Sequence, residues 1–114
     1  MSASAIVRYM SNNRPVNIED LADIFKALSN PNRLKIMHKL MNCCSLGTQL
    51  QLDVHKRTAY IGELGADLGI GKSTISHHIK ELRRVKLIIT ERHGQKIKCW
   101  INPELVNSIG DFFR

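Results

Sequence analysis

IGELGADLGIGKSTISHHIKELRR, residues Ile61 to Arg84, reads as two short helices joined by a glycine-bracketed turn, the pattern of a helix-turn-helix. In the first half Ile61, Leu64 and Leu68 recur at i, i+3 and i+7 and mark one inward face. Gly69 follows at the point where a helix leaves through the left-handed conformation. Beyond the turn Ile75, Ile79 and Leu82 recur at i, i+4 and i+7. That leaves Lys72, Ser73, Ser76, His77, Lys80 and Arg83 on the other faces, where donors and positive charge suit DNA. Gly62 and Gly65 each cost about 1 kcal/mol against alanine within a helix, so close packing of the first helix has to offset them.

The 114 residues are enough for one domain with a modest core. The net charge of +7 is unevenly placed. Between Lys72 and Lys98 lie eight basic residues, Lys72, Lys80, Arg83, Arg84, Lys86, Arg92, Lys96 and Lys98, against only Glu81 and Glu91. A basic excess confined to one quarter of a chain is the footprint of a polyanion-binding surface rather than of general solubility. No apolar run reaches membrane-spanning length, and the start MSASAIVRYM lacks the basic-then-apolar layout of a secretory signal. Three cysteines, two of them adjacent, do not make a disulfide framework and fit a reducing compartment. The expected location is the cytoplasm, with no membrane partner.

Residues 1–16 carry Ile6, Val7 and Met10 and then a polar run, and read as an N-terminal arm or helix. Asn17 caps the first core helix, with Glu19 and Asp20 in its first turn and Leu21, Ile24, Phe25 and Leu28 facing inward. Ser29-Asn30-Pro31 opens a second helix, proline standing where its missing N–H costs nothing. Leu34, Met37 and Met41, with Ile36 and Leu40, form that helix's apolar face through about Cys43, while Arg33, Lys35 and Lys39 are left exposed. Ser45 to Thr58 loses the helical period and reads as a loop or short hairpin. After the helix-turn-helix, Leu87 to Arg92 is a strand, His93-Gly94 a tight turn and Gln95 to Ile101 the return strand, with Ile97, Cys99 and Ile101 on the core face. Asn102-Pro103 repeats the capping device. Leu105, Val106, Ile109, Phe112 and Phe113 then make a last helix too apolar to face water, and Leu105, Ile109, Phe112 and Phe113 are the candidates for a homodimer interface.

Three helices followed by a two-stranded wing make a mainly α (α+β) winged helix-turn-helix. The expected layout is a core over residues 17–102 and a dimerisation helix over 103–114. Leu28-Ser29-Asn30-Pro31-Asn32-Arg33-Leu34-Lys35-Ile36, Leu68 to Lys80, Arg92-His93-Gly94-Gln95 and Trp100-Ile101-Asn102-Pro103 together resemble the ArsR/SmtB-type repressors. The resemblance covers most of Leu21 to Pro103. It implies a homodimer joined through terminal helices, with paired recognition helices in successive major grooves of an operator. It further implies that Ser73, Ser76 and His77 stand at DNA-contacting positions and that Arg92, His93, Gly94, Gln95 and Lys96 form the wing tip. The family's two best-known metal-sensing sites are absent. Tyr60, Ile61 and Gly62 stand where one has cysteines, and the segment after Trp100, where the other needs histidine, contains none.

Gly71-Lys72-Ser73-Thr74 invites a P-loop reading, but position 66 is alanine where that motif needs glycine, and helical spacing precedes it. As a helix start, the same residues offer unpaired N–H groups and the donors of Lys72, Ser73 and Thr74 to a phosphate. His77 and His78 point too far apart on a helix to share an ion. His77 reads as a DNA contact, and His78 as packed beneath the helix or turned to a partner. Cys43-Cys44 has two readings: small apolar residues at a helix end, or a thiol pair for a thiophilic metal or an oxidant, with His38, His55 or Cys99 as a further ligand. No carboxylate or hydroxyl arrangement suits catalysis, so no enzyme is expected. A transcriptional regulator, expected to act as a repressor, therefore stands against a second class, a winged helix used as a protein-interaction module or an effector-independent DNA-binding protein.

Overall fold

A computed structural model of the chain describes residues 16–42 and 59–114. The order is α1 (Ile18–Leu28), α2 (Pro31–Asn42), β1 (Ala59–Tyr60), α3 (Ile61–Leu68), α4 (Lys72–Arg84), β2 (Ile88–His93), β3 (Lys96–Ile101) and α5 (Pro103–Phe112). Most of the expected N-terminal arm, Cys43, Cys44 and the segment Ser45 to Thr58 lie outside the described residues. Val16, assigned to the arm from sequence, belongs to the core at 1% exposure.

Caps set the helix starts. The Asn17 side chain accepts from the Asp20 N–H, and the Asp20 carboxylate accepts from the Asn17 N–H, a reciprocal pair that fixes the first turn of α1. Asn30 Oδ1 accepts from the N–H groups of Asn32 and Arg33 at the start of α2. Asn102 does the same for Leu105 in α5, and its amide donates to the Lys86 carbonyl at 3.0 Å, which ties that helix to the turn before β2. Gly69 ends α3 in the left-handed conformation at φ 69°.

Leu21, Ile24 and Ala27 of α1, Ile36, Met37 and Leu40 of α2, and Ile75, Ile79 and Leu82 of α4 meet in one core with Leu64, Leu87, Ile88, Cys99 and Leu105. The face assigned to α2 needs correction: Ile36, Met37 and Leu40 point inward, whereas Leu34 and Met41 are about half exposed. Arg33, expected in solvent, is partly buried. The inward stripe is thus narrower than the broad face read from sequence and lies within it. Gly65 bears out the close packing demanded of α3. A Cβ there would stand 3.0 Å from the Ile70 carbonyl oxygen and 3.2 Å from Ile75 Cγ2, so any larger residue would have to push the turn or Ile75 back by a few tenths of an ångström. Gly62 faces open space, and nothing packed against it accounts for glycine there.

The wing has three strands rather than two, in the order β1-β3-β2, all antiparallel. Ile88 pairs with Ile101 and His93 with Lys96, which puts Gly94 and Gln95 in the turn, one residue beyond the expected position. Gly94 takes φ 65° as the first central residue, where a two-residue hairpin needs it. Ile97, Cys99 and Ile101 do share the inner face, and Cys99 is fully buried.

Candidate nucleic-acid interface

The inner row of α4 is sealed, with Ile75, Ile79 and Leu82 at no more than 3% exposure, so the outer row is presented on a rigid support. Lys72, Ser73, Thr74, Ser76, His77 and Lys80 are all exposed. Gly71 caps the helix with extended backbone and no side-chain bond, leaving the first N–H groups of α4 without a side-chain cap.

Two clefts join this row to the wing. In one, Ser76, Lys80 and Arg83 of α4 face Thr90, Arg92 and Ile97 of the wing. Arg92 lies on the inner sheet face with Ile97, because strand residues alternate sides, and its guanidinium also donates to the Gly94 carbonyl at 3.4 Å. The other cleft runs between the start of α4 and the hairpin tip, bordered by Lys72 and Ser76 on one side and Gln95, Lys96 and Tyr60 on the other. Of the residues singled out from sequence, the structure thus gathers Lys72, Ser76, Lys80, Arg92, Gln95 and Lys96 around the α4–wing junction. Ser73, Thr74 and His77 are exposed on the same helix outside both clefts. His93 is on the outer sheet face, 3.2 Å from Glu91.

Arg83 and Arg84, counted in the basic excess from sequence, are engaged within the fold. Arg84 donates to Asp23 at 2.8 Å and to Glu81 at 3.1 Å, and Arg83 reaches Thr90 Oγ1 at 3.4 Å. The hydrogen bond from Arg84 holds the Asp23 carboxyl below its ordinary value, and the two carboxylates in turn raise the guanidinium.

Beneath the helix, His78 is 7% exposed and accepts at Nδ1 from Arg33 Nε at 3.1 Å, while Arg33 Nη1 donates to the Ala27 carbonyl at 3.2 Å. One guanidinium therefore ties together the end of α1, the start of α2 and the middle of α4. Burial lowers the His78 pKa, and the charges of Arg33 and His77 add to the effect, so the ring is a neutral acceptor. Of the two readings of His78, this is the one beneath the helix. No sequence pattern announces the contact, since Arg33 and His78 are 45 residues apart.

Burial pushes the Cys99 thiol up to about 12, which disfavours its thiolate. Among the described residues no group of three or more His, Cys, Asp or Glu side chains could hold a metal ion. No described helix is long and apolar enough to cross a membrane. Leu105, expected at a dimer face, is instead fully buried in the chain's own core, because the first turn of α5 docks there. Ile109 and Phe112 are partly buried and Phe113 is 70% exposed, with Phe25, Phe112 and Phe113 clustered tilted or edge-on at ring separations of 5.1–6.5 Å.

Residues 28–91, which contain both helices of the motif and most of β2, match the family described as Helix-turn-helix domain. Over 91 residues the chain is 34% identical to the HTH-type transcriptional regulator YgaV of Escherichia coli (strain K12), spanning 80% of this chain and 79% of that protein. Its fold is similar to the crystal structure of an ArsR family transcriptional regulator, with a TM-score of 0.65 at 22% identity over 85% of this chain and 86% of the other. It is also similar to the transcriptional repressor PagR of Bacillus anthracis, with a TM-score of 0.60 at 25% identity over 85% and 95%. A sealed inner row on α4, an outer row of donors and an adjoining wing are the parts such a protein needs, and the chain belongs to the helix-turn-helix transcriptional regulators, with the winged fold of the ArsR family.

Proposed function

We propose that the chain represses transcription as a homodimer that places paired α4 helices in successive major grooves of an operator. The observation that carries this reading is the division of α4 into a sealed inner face and an outer face of hydrogen-bond donors beside the wing clefts. Ser76 and His77 read base edges. Lys72, Ser73, Thr74 and Lys80, with Arg92, His93, Gln95 and Lys96 of the wing, hold phosphates and fix the register. The likeness to PagR, itself a repressor, supports repression over activation. A protein-interaction module would present an apolar anchor on α4, and the exposed large apolar residues described are Ile18, Leu34, Met41, Ile89 and Phe113, none of them on that helix.

The dimer reading rests on α5, where Phe113 and the edge of Phe112 offer apolar surface beside Phe25. A chemical input, if the repressor has one, falls to Cys43 and Cys44 as ligands for a thiophilic metal ion or as redox thiols, because the third cysteine is sealed in the core. A Cys43→Ser, Cys44→Ser double variant titrated with arsenite tests this: DNA release like the parent's removes the thiols from the mechanism.

Binding to the chain's own upstream DNA and to a scrambled duplex at matched salt tests the main reading. His77→Ala is expected to reduce the preference between them by a factor equivalent to about 1–3 kcal/mol. An unchanged preference would place the base-reading residues elsewhere.

A further inference from the structure

Tyr60 stands at the N-cap of α3 yet makes no capping bond. Its ring lies instead under Lys96, whose Nζ is 5.0 Å from the ring centroid. The sheet dictates the meeting. Tyr60 pairs with Lys98 across β1 and β3, and Lys96, two residues along the same face of β3, is its diagonal neighbour, within reach of an aromatic and a long side chain. Both residues border the cleft between the start of α4 and the hairpin tip, opposite Lys72 and Ser76. A lysine on a hairpin tip is otherwise a flexible point charge, and an aromatic face beneath its ammonium narrows the directions it can take. The two-residue strand β1 thus accounts for more than sheet edge: it brings a ring from the doorstep of the helix-turn-helix to the wing.

We propose that Tyr60 is a positioning residue for DNA binding, its ring holding the Lys96 ammonium at the mouth of this cleft so that the wing and the start of α4 grip one stretch of phosphate backbone. The inference rests on the DNA-binding reading above and adds to it a residue outside both the recognition helix and the wing hairpin. Tyr60 acts through Lys96, so its contribution vanishes when Lys96 is absent.

Phosphate contacts are independent of sequence, so a random duplex of about 30 base pairs serves as the probe. Its affinity is measured by fluorescence anisotropy across a salt series for the parent, Tyr60→Phe, Tyr60→Leu, Lys96→Ala and the Tyr60→Leu, Lys96→Ala double variant, with circular dichroism confirming the fold of each. Tyr60→Phe keeps the ring face and is expected to bind like the parent. Tyr60→Leu is expected to lose about 2- to 5-fold and to flatten the salt dependence toward that of Lys96→Ala. The double variant is expected to bind no more weakly than Lys96→Ala alone. Should Tyr60→Leu fold poorly, Tyr60→Trp, which enlarges the face, is expected to bind at least as well as the parent, and weaker binding by it overturns the proposal. The proposal is also overturned by equal losses in Tyr60→Phe and Tyr60→Leu, or by losses from Tyr60→Leu and Lys96→Ala that add in the double variant. If Lys96→Ala binds with the parent's salt dependence, the phosphate reading of the wing fails and takes this inference with it. If only Tyr60→Leu is silent, the inference fails alone.

Discussion

In the first turns of α4 the side chains of Lys72, Ser73, Ser76 and Lys80 are exposed and tied to no other described residue by hydrogen bond or ion pair. In its last turn Arg84 is held by Asp23 of α1 and by Glu81, and Arg83 reaches Thr90 of β2. The same helix thus begins as an open row of donors, the proposed reading surface, and ends as a joint. A count of positive residues treats both ends alike, but charges already bonded within the fold must break those bonds before they serve a phosphate. Formal charge marks the basic region; the pattern of partners marks which of its residues are left open for a phosphate.

The comparison breaks first at the support on which both ends depend. Leu82 is fully buried in the core, and Leu82→Ala removes about 2–5 kcal/mol of stability through reduced transfer energy and the cavity left behind. Domains of this kind have only about 5–15 kcal/mol to lose. Lys80→Ala, two residues earlier on the outer row, should stay within about 0.5 kcal/mol of the parent. Urea unfolding of the two variants measures the contrast, and equal losses would mean that α4 is not divided into a structural and a free face.

A smaller effect separates the middle of α4 from its ends. Arg33→Ala leaves His78 Nδ1 and the Ala27 carbonyl short of a donor and should cost about 1–3 kcal/mol. Arg33→Lys should not restore it, since an ammonium cannot reproduce the guanidinium's fork. The same site has a pH signature. His78 has its pKa lowered in the folded chain, so between the ordinary value of 6.5 and the folded value the unfolded chain binds more protons. Stability from this group is complete above pH 6.5 and declines as pH falls through the window below it. The charges facing the ring are Arg33 and His77, both of which push in this direction. His78→Asn retains an acceptor near the Nδ1 position and should remove the slope just below pH 6.5 in a series of unfolding midpoints, where the lowered histidine value places it.

Local signals make much of the fold legible. The bounds of α3 and α4, the left-handed Gly69, the Asn17, Asn30 and Asn102 caps and the inner face of β3 each follow from spacing within a few residues. What escapes a reading of the sequence depends on distant partners. β1 has two residues and exists only because β3, some 40 positions later, pairs with it. The hairpin turn lies one residue later than expected because alternation fixes which residues share a face but not which residue of β2 meets which of β3; the pairing of Ile88 with Ile101 settles that. The width of the α2 face is misleading in sequence because Leu34 and Met41 are apolar without being inward. Arg33, Tyr60 and Arg84 look exposed or ordinary in sequence because each acquires its role from a partner on another element.

The smallest effects sharpen the comparison most. Lys80→Ala removes a charge with no described partner, so the slope of log affinity against log salt should flatten by about 0.9 for one phosphate left unneutralised. Arg84→Gln removes a charge of the same sign one turn further along the same helix, but that charge is already committed to Asp23 and Glu81. Its loss should leave the salt slope unchanged. The ion pair itself is exposed, so midpoints at neutral pH should barely move. Its trace lies at acid pH instead. Arg84 holds the Asp23 carboxyl below its ordinary 3.8, so the folded chain stays ionised where the unfolded chain protonates, and that stability is present above 3.8 and lost as pH falls through the folded value. Arg84→Gln should therefore flatten the acid limb of the stability curve while leaving DNA binding alone. A slope that flattens as much for Arg84→Gln as for Lys80→Ala would show that the Asp23 bond opens on DNA, and that the joint at the end of α4 is part of the reading surface after all.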